Sequence, residues 1–356
     1  MNKNEKELFL ELCAYRAPRN ERIEALLKGG AATPGVLGAL FANRVAAIAY
    51  GVLSEGGILE LVDREFRNSL RCAWAWSKRQ NEDMLLCIKG LCESLEASAV
   101  PYALLKGAYL CYAYPEGYRT SNDIDVLVAP ENVGRISACL KTLGFRQGYL
   151  KNGDFVPATR EQIISSRMMR GETVPFIKEV GLPSMRCLEV DVNFSLDLKS
   201  TDDGALGKML SRAVMTPIAD TCIRTLEIYD FILHLCAHLY KEAASMPWIR
   251  MKRDMTFYKY CDIYGMLFCL GDGELDTLRL RADELGIKKE LIYCLASIDA
   301  FFGTGYLRER VSEDELCKVS SPSERKTYRY TQIDPAERFF CEDRTRLLRE
   351  VRDENA

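Results

Sequence analysis

In the segment Asp123-Ile124-Asp125-Val126-Leu127-Val128, two carboxylates alternate with aliphatic residues at the start of an apolar run. Strand side chains at i and i+2 point to the same face. Asp123 and Asp125 therefore share one side of a strand, and Ile124, Val126 and Val128 share the other. One face belongs in a core. The other aims two negative groups at one point. Like charges that close raise each other's pKa unless a metal or a basic group compensates. An all-oxygen pair of this kind suits a hard divalent cation such as magnesium.

A second strand repeats the pattern. In Leu188-Glu189-Val190-Asp191-Val192-Asn193-Phe194, the residues Glu189, Asp191 and Asn193 share one face and the apolar residues share the other. On a neighbouring strand, Asp191 would complete a three-carboxylate cluster with Asp123 and Asp125, able to hold one or two magnesium ions beside a phosphate. The plainer alternative is an edge strand with a solvated acidic face.

Around these strands the periodicity changes. Residues 5 to 97 read as helical, with Phe9, Leu12 and Cys13 at helical spacing and Phe66 to Leu95 forming one long helix or two. From 99 to 200 the signals alternate. A strand over 100–105 is followed by a helix from Gly107 to Ala113 and the strand Asp123–Val128. A helix then starts at Pro130-Glu131, with Val133, Ile136, Leu140 and Leu143 as its inner stripe. A short strand follows over 145–150, and a clear one over 187–195. Residues 151–183 carry no decisive pattern. From Thr201 onward the chain reads as helical again. The expected organisation is α+β: a small mixed-sheet core at 98–200, flanked by an N-terminal helical domain at 1–97 and a C-terminal one at 201–356.

Composition excludes several classes. A net charge of −3 gives no global basic field to recruit nucleic acid or anionic lipid. The polar start, Met1 to Glu7, does not read as a signal peptide. No apolar run reaches the roughly 18 residues of a membrane span. The fourteen cysteines include no CxxC pair and sit largely inside helix-like apolar patterns. They read as reduced small hydrophobes of a cytoplasmic protein.

The run from Leu104 to Gly144 resembles the nucleotidyltransferase superfamily, with its polymerase beta-like fold. More narrowly, it resembles the bacterial "uncharacterised nucleotidyltransferase" family. The resemblance is carried by Lys106-Gly107 after a strand, Arg119 before the acidic pair, Asp123-Ile124-Asp125, and Asp191-Val192-Asn193. It covers 99–197 well and extends weakly to Leu233–His238 and Tyr260–Ile263. Two positions depart from the pattern. Lys106-Gly107 stands where the superfamily commonly has Gly-Ser, so a phosphate-touching hydroxyl is missing. Asn193 stands where the narrower family often has histidine, and asparagine cannot act as a base.

The resemblance implies a metal-dependent nucleotidyltransferase using Mg2+ or Mn2+. Asp123, Asp125 and Asp191 would be its metal ligands and catalytic residues. Lys106, Gly107, Arg119, Ser121 and Asn122 would hold the nucleotide, with Gly107 offering backbone amides at a helix start and Arg119 suited to a bidentate contact. The implied donor is a nucleoside triphosphate such as ATP, or a nucleotide sugar, and the acceptor a small molecule or peptide. The alternatives are a non-catalytic nucleotide-binding or antitoxin-like module, and transfer of a sugar or other group from an activated donor.

Other residues are given plainer readings. Lys106 could be a solvated strand end, and Arg119 could pair with Glu116. His234 and His238 share a helix face, facing a cleft or satisfying a packing contact. Arg250, Lys252 and Arg253 read as a solvated charged face that could also meet an anion.

Overall fold

The structure is a computed structural model that describes residues 1–169, 171–196, 204–271, 273–307 and 322–351. Eight strands form one mixed sheet: β1 Tyr102–Leu105, β2 Asp123–Val128, β3 Arg146–Lys151, β4 Asp154–Pro157, β5 Phe176–Leu182, β6 Met185–Asn193, β7 Val214–Ile218 and β8 Thr221–Thr225. Their order across the sheet is β4-β3-β5-β6-β2-β1-β8-β7. The mixed-sheet core and its helical flanks match the expected fold class.

The site depends on three central strands. β2 runs parallel to β6, with Asp125 opposite Asp191 and Asp123 opposite Glu189. β1 runs antiparallel to β2, with Leu105 opposite Asp125. β6 is thus an interior strand between β5 and β2, not a solvated edge. Burial explains why register is fixed here. Ile124, Val126, Val128, Leu188, Val190 and Val192 all enter one core cluster, and a one-residue slip would turn every one of them out. Each such buried side chain contributes roughly 1.5–3 kcal/mol. The helix Val133–Thr142 supplies Val133, Ile136 and Leu140 to the same cluster, the stripe expected from its spacing.

The stretch 66–95 falls in a single helix, Arg64–Ala97. Its Met84, Ile88, Leu91 and Leu95 pack into the sheet core.

Contacts group the chain into two units, Cys72–Phe231 and, together, Met1–Arg71 with Ile232–Ala356. This differs from the expected division at 97/98 and 200/201. Two physical reasons account for the sheet unit. The second part of the long helix buries its apolar stripe against the sheet, and the β7–β8 hairpin extends the sheet beside β1. In the helical unit, Phe9 near the N-terminus meets Phe257 edge to face at 5.0 Å and stacks on Phe339 at 5.5 Å, so distant segments share one aromatic core. The expected boundary at 200 falls among residues 197–203, outside the described residues.

The expectation of helix throughout from Thr201 needs correction. Residues 214–225 form the hairpin β7–β8, whose turn includes Ala219 at φ 44°. The undecided stretch 151–183 holds β4, the helix Arg160–Met169 and β5. No single helix among the described residues is long and apolar enough to cross a membrane. Among the described residues every cysteine is free.

Candidate active site

The acidic face of β2 and β6 is built by register. Adjacent strands lie about 4.8 Å apart, so the pairing of Asp125 with Asp191 brings two carboxylates side by side, with Asp123 and Glu189 one step away. β1 ends beside them. Immediately after it, Lys106 turns the chain into the helix Gly107–Ala113 with φ 45° and ψ −116°, a conformation usually left to glycine. Its ammonium reaches Asp125 Oδ1 at 2.8 Å. Asn193 Nδ2 donates to the same oxygen at 3.1 Å. Asp125 is buried, and Lys106 is largely so, with 19% of its side chain exposed. Lys106 is therefore not a solvated strand end.

Electrostatics follows from this geometry. Burial alone would lower the Lys106 pKa. Asp125, with Asp123 and Asp191 nearby, outweighs that and holds it above the ordinary lysine value. Asp191 is shifted toward its neutral form. Burial, then Asp125, Asp123, Glu172 and Glu189 in turn, push its pKa well above the usual range. Burial and Asp123 raise Glu189 as well. The sheet face thus gathers more carboxyl groups than one ammonium can neutralise, and Asp191 and Glu189 resist ionisation.

Among the described residues, no three His, Cys, Asp or Glu side chains are gathered in a metal-binding group. Asp123, Asp125 and Asp191 share a face in adjacent rows, and Asp125 is turned to Lys106. Carboxylate oxygens on neighbouring strands are the kind of donor a hard cation takes, but the Lys106 ammonium already occupies one of them.

The loop before β2 completes the corner. Gly107 packs directly on Ser121, and a Cβ at 107 would collide with Ser121 Cβ and Oγ. Ser121 Oγ in turn donates to Asp123 Oδ1 at 2.7 Å. A serine hydroxyl from the loop thus occupies the space that a side chain at 107 would fill.

The long helix holds this loop. Gln80 Nε2 donates to Asn122 Oδ1 at 2.7 Å and to the Ser121 carbonyl at 3.1 Å. Asn81 Nδ2 donates to the Arg119 carbonyl at 2.8 Å. Trp74 Nε1 donates to the Glu116 carbonyl at 2.8 Å, beside Gly117 at φ +80°, where no Cβ fits. Arg119 is buried, and its guanidinium donates to the Thr120 carbonyl. Glu116 instead pairs with Lys78 at 2.9 Å. Gln80 and Asn81 escaped the sequence reading. The available signal was polar residues on an inward helix face: Ser77, Gln80, Asn81 and Met84 follow helical spacing, and all four are buried.

His234 is buried and His238 Nε2 lies 3.8 Å from Glu242 Oε1 on the same helix. Both belong to the helical unit, whereas Asp123, Asp125 and Asp191 belong to the sheet unit.

Comparison with known proteins adds the following. The sequence matches a family described as uncharacterised nucleotidyltransferase over residues 34–303. No curated protein matches it. Among solved structures, it is similar to an antigenic nucleotidyltransferase-like protein from Paracoccidioides brasiliensis. The two share 14% identity over 62% of this chain and 96% of that one, with a TM-score of 0.35.

Proposed function

The chain belongs to the uncharacterised nucleotidyltransferase family, and from that premise we propose a metal-dependent transfer of a nucleotidyl group. The donor is a nucleoside triphosphate, with ATP the first to test, and the acceptor is a small molecule or peptide. The cation is Mg2+ or Mn2+, held by Asp123, Asp125 and Asp191. The observation that carries this reading is the row of carboxylates across β2 and β6 with the Lys106 ammonium 2.8 Å from Asp125. Burying like charges on central strands is costly to stability, so a purely structural role gives no reason to keep them.

Each residue then has a task. The cation supplies charge neutralisation between the carboxylates and the phosphates. Lys106, released from Asp125, turns its charge to a phosphate oxygen. Arg119 adds a second cation, and Gly107 lets the backbone approach closely. Ser121 supplies the hydroxyl that Lys106-Gly107 lacks, while Asn122 is oriented by Gln80. Asn193 holds Asp125 by hydrogen bonding and takes no proton. Asp191, with its raised pKa, is suited to accept the proton of the acceptor hydroxyl or to hold a second cation. A reducing, cytoplasmic setting agrees with the free cysteines.

A second reading has its own support. Lys106 already neutralises Asp125, as a permanent substitute for metal would, which favours a nucleotide-binding module without catalysis. One experiment separates the two. Nucleoside triphosphates and nucleotide sugars are screened by thermal shift with magnesium and with chelator, and hits are followed for turnover. The enzyme reading expects magnesium-dependent binding, turnover by the wild type and none by Asp125→Asn. Tight binding without metal and no turnover of any donor supports the module instead. Turnover of a nucleoside-diphosphate sugar with release of the nucleoside diphosphate, and not of the sugar phosphate, assigns transfer of the sugar.

A further inference from the structure

Lys252 and Arg253 belong to the basic cluster with Arg250 that reads from sequence as a solvated charged face able also to meet an anion. In the helical unit they line a cavity of about 500 Å³ together with Arg44, Lys259 and Arg344. That volume suits a small molecule. The charges lining it are unbalanced, and Arg44, Lys252 and Arg253 are exposed. Lys259 is matched by Glu242 in an ion pair, and Arg344 by Asp254 at 2.9 Å. Arg44, Lys252 and Arg253 have no ion-pair partner among the described residues. Three uncompensated cations around one concavity stand out in a chain of net charge −3.

The backbone carries a second, independent sign. Arg44 has φ 59° and Lys252 has φ 56°. Each follows a helix end, after Pro34–Ala42 and after Met246–Arg250. Glycine is the unstrained choice at such positions. The chain instead accepts strain at two places on the cavity wall, and both carry a cation. Arg344 stiffens the loop that follows Met246–Arg250 by donating to the Lys252 carbonyl at 3.5 Å and to Asp254. Trp248 and Tyr258 supply flat apolar walls, and the Arg44 guanidinium lies 5.2 Å from the centre of the Tyr258 ring.

We propose that this cavity binds a small molecule bearing a diphosphate or an equivalent pair of phosphate charges, independently of the acidic face on the sheet. Two adjacent phosphates match two to three convergent cations better than a single phosphate does. The unpaired cations hold the charge, and the aromatic walls accommodate the apolar or ring-bearing part of the ligand.

The strain makes the test selective. Lys252→Gly and Arg44→Gly each remove a cation and relieve the backbone at the same time. Full-length protein is titrated with inorganic pyrophosphate by calorimetry, in chelator and at physiological ionic strength, where weak surface attraction is screened. The wild type should bind, and bind inorganic phosphate more weakly. Each glycine variant should melt no lower than the wild type and lose about ten- to a hundredfold in pyrophosphate affinity. Absence of binding by the wild type overturns the proposal. So does unchanged affinity in both glycine variants, which would move the anion to another site.

Discussion

Lys106 Nζ lies 2.8 Å from Asp125 Oδ1, at the point where β1 ends against the acidic start of β2. Under the proposed function, this ammonium would serve two tasks in succession: before a nucleotide arrives it offsets the crowding of Asp125 and Asp191, and afterwards a cation takes its place and frees its charge for a phosphate. The antiparallel pairing of Leu105 with Asp125 makes this exchange possible, because it sets the residue after β1 directly beside the carboxylate.

That exchange predicts a metal-sensitive stability defect. Lys106→Met keeps the aliphatic stem and removes the charge, leaving Asp125 buried without its cation. Breaking a buried pair costs about 3 kcal/mol, so the variant should melt well below the wild type in chelator. Magnesium should restore part of the loss by taking the place of the ammonium. Melting curves with and without magnesium decide it; an identical deficit in both conditions would mean that no cation enters beside Asp125.

Gly107 is constrained by Ser121 and not by helix propensity. Alanine is the better helix former by about 1 kcal/mol, yet its methyl would collide with Ser121 Cβ and Oγ. Gly107→Ala should therefore destabilise the protein by roughly 1–3 kcal/mol and displace the hydroxyl that holds Asp123. The double variant Gly107→Ala with Ser121→Gly should recover most of that stability. Urea unfolding of the pair checks this; a stabilised single variant would refute the packing argument.

Asp191 gives a pH dependence with a definite sign. Its folded pKa is raised by burial and by Asp125, Asp123, Glu172 and Glu189. A carboxyl raised on folding favours the folded state fully below its unfolded pKa of about 4. That contribution is lost as pH climbs toward the raised value. In chelator, the wild type should therefore lose stability relative to Asp191→Asn as pH rises from 4 through neutrality. Glu189 adds in the same direction, while Lys106 titrates far above this window. Magnesium, which competes with the proton, should bind more tightly at the upper end. Parallel stability curves for wild type and Asp191→Asn would show that the carboxyl is not under this stress.

Local pattern alone determined the two central strands, because alternation of period two has only one reading when both the apolar and the acidic sets are complete. Ile124, Val126 and Val128 are buried as the spacing required, and Asp123, Asp125 and Asp191 lie on one face. The helix Gly107–Ala113 was legible from the glycine that follows a strand, and the stripe of Val133, Ile136 and Leu140 from helical spacing. The β7–β8 hairpin was not, since its strands are half-exposed at the sheet margin and show no clean alternation.

Only the tertiary structure decided how separate segments meet. The spacing of Ser77, Gln80, Asn81 and Met84 marks an inward helix face, but nothing in the sequence near Gln80 and Asn81 shows that this face grips the loop at 119–122. The pairing of Lys106 with Asp125, 19 residues apart, follows from strand pairing across β1 and β2. The convergence of Arg44, Lys252 and Arg344 on one cavity spans most of the chain. Periodicity reports which side of an element is buried. Which partner lies on that side is set by long-range packing, and no local spacing encodes it.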